Sequence, residues 1–214
     1  GAASGLATRL LANPDTTVAA LIGTGGQAAC QLQAMLEVLP LETVHVFSRK
    51  FANAEAFCRD HAASVGACRL VPALSKDVLK ECGVITTVTN STMPVFADSE
   101  IESGVHINGV GSFRPDMVEV PLETVIRAEV FVDHRDAALH EAGDIVDPMK
   151  RGRLPADYAP AELGEVILGQ RRGRTSVEQT TFFKSVGNAA QDIVCAAEIL
   201  TIAERENLGQ IVEV

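Results

Sequence analysis

The residues whose types and spacing best suit chemistry lie in a glycine-rich loop. The segment GTGGQA (residues 23–28) follows the apolar run TVAALI and precedes a stretch in which apolar residues recur with a helical period. In a Gly-x-Gly-x-x-Ala loop the first glycine permits a tight turn, the second lets a pyrophosphate approach the backbone, and the small last residue lets helix and strand pack closely. The free N–H groups of the helix N-terminus favour phosphate there. We therefore predict a dinucleotide-binding site rather than a turn without a ligand. The residues expected to contact the dinucleotide are Gly23, Thr24, Gly25, Gly26 and Gln27.

The end of the second predicted strand indicates which dinucleotide is bound. An NAD site carries Asp or Glu about twenty residues after the glycine loop, to hold the ribose 2′-hydroxyl. In this chain the strand runs into Ser48, Arg49 and Lys50, and Glu42 lies before the strand, at its opposite end. A serine and two cations suit a 2′-phosphate, which a guanidinium binds through a fork of N–H donors. The sequence therefore predicts NADPH rather than NADH, with solvated loop charges as the alternative interpretation.

The composition excludes several other functions. With 18 Lys plus Arg against 28 Asp plus Glu, the 214 residues carry a formal charge of −10, which disfavours binding to nucleic acid or to an anionic membrane. No apolar run is long enough to span a bilayer, and the N-terminal residues lack the layout of a signal peptide. The 5 cysteines and 5 histidines show no metal-binding spacing, so we expect no metal site and buried free thiols. These features predict a soluble, cytoplasmic protein.

The elements that position the candidate residues alternate between strands and helices. Six apolar strands are predicted, near residues 17–23, 44–47, 69–74, 84–89, 105–110 and 130–132. Strands that are apolar throughout and separated by helices form a parallel sheet covered on both faces. The predicted fold class is therefore α/β, with a Rossmann-type doubly wound parallel sheet. An irregular excursion is expected over residues 147–160.

Helices at both ends fall outside this alternation. Residues 2–11 and 187–207 are predicted to be helical, with apolar faces that need a further domain or subunit to pack against. We divide the chain into three parts: 1–16 is a helix linking from a further N-terminal domain, 17–184 is the dinucleotide-binding Rossmann domain, and 185–214 is a C-terminal helix and tail that return to the further domain.

Six stretches of the chain carry a resemblance to a known family. They are GTGGQA (23–28), VHVFSR (44–49), VHINGVGSFRPDMVEVP (105–121), VFVDHRDAALHEAGD (130–144), AELGEVILG (161–169) and GRTSVEQTTFFKSVG (173–187). In this order they resemble the ornithine cyclodeaminase/mu-crystallin family over nearly the whole chain. The resemblance implies a homodimer of two-domain subunits, in which an N-terminal part dimerises and binds substrate. This chain is then expected to be the C-terminal two thirds of such a subunit.

The resemblance also implies cofactor contacts beyond the glycine loop. It places Ser48 and Arg49 on the 2′-phosphate, Thr89 at the end of the fourth strand, Val110 after the fifth strand, and Ser185 near the nicotinamide. Two of these residues have plainer interpretations, because Thr89 also suits a strand end and Ser185 also suits a helix N-cap.

Two residues are predicted near the substrate. Phe113 stands where cyclodeaminases of the family carry a catalytic Asp, and an apolar ring cannot transfer a proton. Glu141 is placed near the substrate with Asp144, three residues further on, although both also suit a solvated helix end. Asp133 and Arg135 are predicted to form a local ion pair without a chemical role. No residue matches the family's carboxylate-binding cations, so the catalytic residues are unknown.

The resemblance and these departures lead to one main functional hypothesis. The protein is expected to be an NAD(P)-dependent oxidoreductase that uses NADPH to reduce the C=N bond of small cyclic imino acids, such as pyrroline- or piperideine-2-carboxylate. One alternative is an NAD-dependent ornithine cyclodeaminase or alanine dehydrogenase. The other is a non-catalytic, crystallin-like protein that binds NADPH and a ligand.

Overall fold

One eight-stranded sheet forms the centre of the molecule in the computed structural model, which describes residues 1–210 and 212. The strands are β1 (Val18–Ile22), β2 (Thr43–Phe47), β3 (Arg69–Pro72), β4 (Val84–Thr87), β5 (His106–Gly109), β6 (Glu129–Val132), β7 (Ala161–Glu162) and β8 (Thr181–Lys184). They pair in parallel in the order β3-β2-β1-β4-β5-β8-β6-β7. The strand order reverses between β1 and β4, and open α/β sheets bind ligands at the carboxyl ends of strands beside such a reversal. The predicted Rossmann-type sheet is confirmed.

Helices cover both faces of the sheet, as its apolar strands require. They are α1 (Ala2–Leu11), α2 (Ala28–Leu36), α3 (Phe51–His61), α4 (Leu122–Arg127), α5 (Arg135–Glu141), α6 (Gly143–Lys150), α7 (Leu163–Ile167) and α8 (Ala189–Glu206), with short 3-10 helices at Ala62–Ser64, Lys76–Glu81 and Asp98–Glu100. Strand β1 shows the two faces. Ala19 and Leu21 pack in one apolar cluster, whereas Ala20 and Ile22 pack in the other, because successive residues of a strand point to opposite faces.

Two strands lie where the sequence predicts none. Strand β8 is an interior strand of the sheet between β5 and β6, and its Phe182 and Phe183 are fully buried. Its apolar part is only two residues long, and the buried polar residues Thr181 and Lys184 flank it, so the apolar pattern is too short to identify. Strand β7 has only two residues.

The irregular excursion is shorter than the sequence predicts. The sequence places its start at residue 147, but α6 continues to Lys150 with Pro148 inside it. Pro148 is buried, and packing retains the helix although a proline removes one backbone donor. The excursion therefore begins after Lys150.

The two terminal helices differ in what they cover. The sequence analysis expects both to pack on a further domain, but Ala7 and Leu11 of α1 pack on the sheet against Phe131 and Phe183. A Cβ on Gly5 would lie 3.2 Å from Ala34 of α2, so the small residues of α1 allow this close approach. In contrast, α8 contains no buried residue, and it ends at Asn207 in the left-handed conformation (φ 54°) that is common at helix C-termini. Packing of α8 on a further domain stays a prediction.

Candidate functional site

The glycine loop connects β1 to α2 at the carboxyl edge of the sheet, beside the reversal of strand order. Gly23 has φ +115°, and a Cβ built there would lie 2.5 Å from the carbonyl oxygen of Val88, which follows β4. A side chain at this position would therefore collide with backbone as well as strain the turn. The first glycine of the loop is required by the fold itself.

The next two glycines are not required by contacts within the chain. A Cβ on Gly25 or Gly26 would meet no atom within 4 Å. The backbone N–H groups of Gly25, Gly26 and Gln27 donate to no residue that the structure describes. Open space in front of unpaired donors at a helix N-terminus fits a pyrophosphate, which supplies acceptor oxygens and negative charge. The loop thus has the geometry expected of a dinucleotide site.

The end of β2 lies beside this loop. The Thr24 hydroxyl donates to the Ser48 hydroxyl over 3.1 Å, so the structure brings together two of the predicted contacts. Arg49 and Lys50 are exposed, and neither forms an ion pair within residues 1–210 and 212. Two exposed cations next to paired hydroxyls suit a phosphate monoester.

A third cation, Lys76, lies against the last residue of β2 and is not predicted from the sequence. The Nζ atom of Lys76 lies 4.0 Å from the centroid of the Phe47 ring. Burial lowers the pKa of Lys76, and the charge of Glu100 opposes that shift. The ring face attracts the ammonium and holds its stem beside the end of β2.

The loops after β4 and β5 are joined by a buried carboxylate. Glu119 is fully buried, and its Oε1 accepts from the Thr89 N–H (2.6 Å) and hydroxyl (2.8 Å). Its Oε2 accepts from the N–H groups of Gly111 (2.7 Å) and Ser112 (3.1 Å). A Cβ on Gly111 would collide with the carbonyl oxygen of Thr89, so the two loops are in direct contact. Strand β4 ends at Thr87, and Thr89 is therefore part of this junction rather than a strand end.

Two further buried charges support Glu119. Asp144 accepts from the N–H groups of Glu119 (2.7 Å) and Val120 (3.0 Å) and from the Ser112 hydroxyl, and Lys184 Nζ lies 3.6 Å from Asp144. Burial raises the pKa of Glu119 and so does Asp144, whereas Lys184 and the Thr89 donors lower it. Asp144 is fully buried, so its interpretation as a solvated helix end is wrong, and its role toward a substrate stays a prediction.

Ser185 is held by a carboxylate at the end of β6. Its hydroxyl donates to Asp133 over 2.7 Å, and its N–H donates to the Gly109 carbonyl over 3.0 Å. Asp133 also accepts from the Gly187 N–H (2.7 Å), so it fixes the loop that leads into α8. The N-cap of α8 is Asn188, and the interpretation of Ser185 as that cap is wrong.

Asp133 therefore does not pair with Arg135. The Arg135 guanidinium instead pairs with Glu165 and donates to the Pro160 carbonyl. The predicted local ion pair is wrong, because Asp133 is occupied by Ser185 and its neighbours.

The two residues predicted near the substrate are both exposed. Phe113 lies in the loop after β5 with 52% of its surface accessible. Glu141 is the last residue of α5, and its side chain donates to or accepts from no residue that the structure describes. Their roles toward a substrate stay predictions.

The remaining predictions concern metals, membranes and thiols. Within residues 1–210 and 212, no group of three or more His, Cys, Asp and Glu side chains could hold a metal ion. In the same part of the chain, no helix is long and apolar enough to cross a bilayer. Free thiols are buried at Cys58, Cys68 and Cys82, as expected, but Cys30 and Cys195 are exposed.

The sequence alone does not predict the interactions of four charged residues, which are Glu119, Asp144, Lys184 and Asp133. Glu119 stands in the apolar stretch MVEVP and Lys184 ends the stretch TTFFK. A charge inside an apolar run is the signal that could have identified them, since buried charges are paired.

Comparisons with known proteins agree with this geometry. The sequence model of the ornithine cyclodeaminase/mu-crystallin family matches residues 1–207. The chain is 38% identical over 214 residues to a Delta(1)-pyrroline-2-carboxylate reductase of Bacillus cereus, covering 100% of this chain and 66% of that protein. It is 36% identical over 195 residues to the ketimine reductase mu-crystallin of Mus musculus, covering 91% of this chain and 58% of that protein.

A solved structure matches almost the entire fold. The structure of Thermococcus litoralis Delta(1)-pyrroline-2-carboxylate reductase in complex with NADH and L-proline superposes with a TM-score of 0.92 at 33% sequence identity. The match covers 98% of this chain and 65% of that one. The chain therefore spans just under two thirds of the length of the relatives it matches.

Proposed function

Because the chain belongs to the ornithine cyclodeaminase/mu-crystallin family, we propose that its protein is an oxidoreductase that reduces small cyclic imino acids with NADPH. The substrate class is that of pyrroline- and piperideine-2-carboxylate. The observation that carries the proposal is the 38% identity to a Delta(1)-pyrroline-2-carboxylate reductase over the whole chain. The open glycine loop at the reversal of strand order supports the dinucleotide.

The preference for NADPH rests on the end of β2. Ser48, Arg49 and Lys50 replace the acid that would hold a ribose 2′-hydroxyl. Arg49 and Lys50 are exposed beside the Thr24–Ser48 hydroxyl pair, and Lys76 adds a cation against Phe47. The Thermococcus litoralis relative is described with NADH, so relatives alone do not determine the choice.

Each part of the site has a distinct task in the proposed reaction. The N–H groups of Gly25, Gly26 and Gln27 hold the pyrophosphate, and Arg49 binds the 2′-phosphate. When bound, the nicotinamide supplies a hydride to the carbon of the C=N bond. Phe113 provides an apolar surface that excludes water and donates no proton.

The assembly is proposed to extend beyond this chain. The apolar residues of α8 are exposed, including Ile193 (67%) and Leu200 (59%). Exposed apolar faces of this kind mark contacts with other protein surfaces. We place the dimerising, substrate-binding part of a homodimer there, together with the cations that orient the substrate carboxylate.

Turnover of cyclic imines tests the proposed reaction. The protein that carries this chain is expected to consume NADPH with pyrroline-2-carboxylate or piperideine-2-carboxylate and to form the corresponding cyclic amino acid. Release of ammonia from ornithine without imine reduction would contradict the proposal and favour a cyclodeaminase. Tight binding of NADPH without turnover of any imine would favour a crystallin-like binding protein.

A further inference from the structure

The junction between the loops after β4 and β5 has a geometric consequence for the cofactor. Four donors converge on one carboxylate, because Glu119 accepts from Thr89 N–H and hydroxyl on one loop and from Gly111 and Ser112 N–H on the other. A fully buried carboxylate with four donors holds these loops at a fixed separation and orientation.

The orientation of two peptide groups follows from these bonds. In a trans peptide the N–H and C=O groups point in opposite directions. Since the N–H groups of Thr89 and Gly111 point at Glu119, the carbonyls of Val88 and Val110 point away from it. The Val88 oxygen lies 2.5 Å from a Cβ built on Gly23, so it faces the glycine loop. Neither carbonyl accepts a hydrogen bond from any residue that the structure describes.

We propose that Glu119 is the positioning residue for the nicotinamide half of the cofactor site. It orients the Val88 and Val110 carbonyls as acceptors for ribose hydroxyl and carboxamide N–H₂ donors. The inference rests on the proposed function, because it assumes that a nicotinamide dinucleotide binds at this edge. Glu119 acts through the two loops and does not contact the cofactor itself.

Lys184 favours the ionised form of Glu119, whereas burial and Asp144 favour its protonated form. Asp144 on α6 holds the backbone N–H groups of Glu119 and Val120, and Lys184 on β8 lies 3.6 Å from Asp144 and donates to the Gly109 carbonyl over 3.0 Å. A protonated Glu119 would direct an O–H toward groups that are themselves donors. The junction is therefore expected to loosen when Glu119 is protonated. Burial and Asp144 raise the pKa of Glu119, so this protonation occurs at a higher pH than that of an ordinary carboxylate.

Adenosine 2′,5′-bisphosphate, which lacks the nicotinamide half of NADP⁺, separates positioning of the nicotinamide from general damage to the fold. Both ligands are titrated into three proteins: the full chain, its Glu119→Gln variant and, as a matched control at an exposed carboxylate, its Glu123→Gln variant. Gln offers one acceptor oxygen and turns an N–H₂ toward two of the donors. NADP⁺ affinity of Glu119→Gln is expected to fall about tenfold or more, and adenosine bisphosphate affinity to change less than about twofold, as loss of a charged hydrogen-bond acceptor predicts. Glu123→Gln is expected to match the wild type in both titrations.

The other outcomes overturn specific statements. Unchanged NADP⁺ affinity in Glu119→Gln, or an equal loss for both ligands, would overturn the inference alone. A wild-type chain that binds neither ligand would overturn the proposed function and the inference with it.

A measurement on the wild-type chain covers the case in which Glu119→Gln does not fold. The ratio of NADP⁺ affinity to adenosine 2′-phosphate affinity is followed from pH 8 to pH 4.5, the ordinary carboxyl pKa above which that of Glu119 lies. The 2′-phosphate is the group that titrates in both ligands over this range, so its protonation cancels in the ratio. The ratio is expected to fall on acidification. A constant ratio over this range would overturn the inference.

Discussion

The two halves of the carboxyl edge are built in opposite ways. At β1 and β2, the proposed adenosine half consists of open glycines, paired hydroxyls and exposed cations. At β4, β5 and β8, the proposed nicotinamide half rests on Glu119, Asp144 and Lys184, all of which are fully buried. The first region leaves its polar groups open to solvent, whereas the second uses buried charges to fix the backbone of two loops.

Ligand binding and stability are therefore expected to respond separately to mutation in the first region but together in the second. In the adenosine half, most binding groups have no partner within the described part of the chain, so changing them affects ligands more than stability. In the nicotinamide half, each charged group also holds the fold together, and buried charges that lose a partner are strongly destabilising.

The largest effect is expected from Lys184. Replacement by Met removes the cation that compensates two buried carboxylates, and breaking such a group costs about 3–5 kcal/mol of unfolding free energy. Urea unfolding measures the loss. Lys80→Met, at an exposed lysine, is the control and is expected to stay within about 0.5 kcal/mol of wild type. A loss below about 1 kcal/mol at Lys184 would show that the buried charges do not depend on one another.

The second largest effect on stability is expected on acidification, through protonation of the buried His106 on β5. Burial lowers the pKa of His106 to about 3, and its ring lies 3.1 Å from Asn108 Oδ1 and 2.9 Å from the Thr181 hydroxyl. In the unfolded chain this imidazole therefore binds a proton near pH 6.5, whereas in the folded chain it does so only near pH 3. The free energy of unfolding consequently falls as the pH drops from 6.5 toward 3. The loss through this residue amounts to about 3 kcal/mol by about pH 4.

The matched variants for the acid effect are His106→Gln and His140→Gln. His140 is exposed on α5, so its replacement is expected to leave the pH dependence of unfolding unchanged. His106→Gln is expected to flatten the slope between about pH 6.5 and pH 4. An unaltered slope in His106→Gln would assign the acid sensitivity to other groups.

The smallest effects on stability come from the glycine loop, where two neighbouring positions should separate folding from binding. Gly23→Ala places a Cβ against the Val88 carbonyl at φ +115° and is expected to cost about 2 kcal/mol of stability. Gly26→Ala meets no atom within 4 Å, so its stability should stay within about 0.5 kcal/mol of wild type. Its methyl group occupies the open space before the loop, and NADPH affinity should fall. Unimpaired NADPH binding by Gly26→Ala would mean that the phosphates lie elsewhere.

The same contrast explains how much the sequence predicts. The proposed adenosine half consists of two short segments, the glycine loop and the end of β2, and each carries a motif that can be recognised within a few residues, so the sequence predicts the loop and Ser48 with Arg49 directly. The nicotinamide half joins residues as distant as Thr89, Glu119 and Lys184. Such pairings depend on the sheet order, and strand β8 carries too short an apolar pattern to reveal that Lys184 ends a buried interior strand.

Discrimination between NADPH and NADH reports most directly on the role proposed for the end of β2. Calorimetric titration of the full chain with NADPH and with NADH is compared with the same titrations of Arg49→Ala and of Arg59→Ala, an exposed arginine of α3. Wild type and Arg59→Ala are expected to prefer NADPH by about tenfold or more, and Arg49→Ala is expected to lose this preference while retaining its NADH affinity. Equal or tighter binding of NADH by the wild-type chain would contradict the assignment of Ser48 and Arg49 to a 2′-phosphate and would favour the NAD-dependent dehydrogenases and cyclodeaminases.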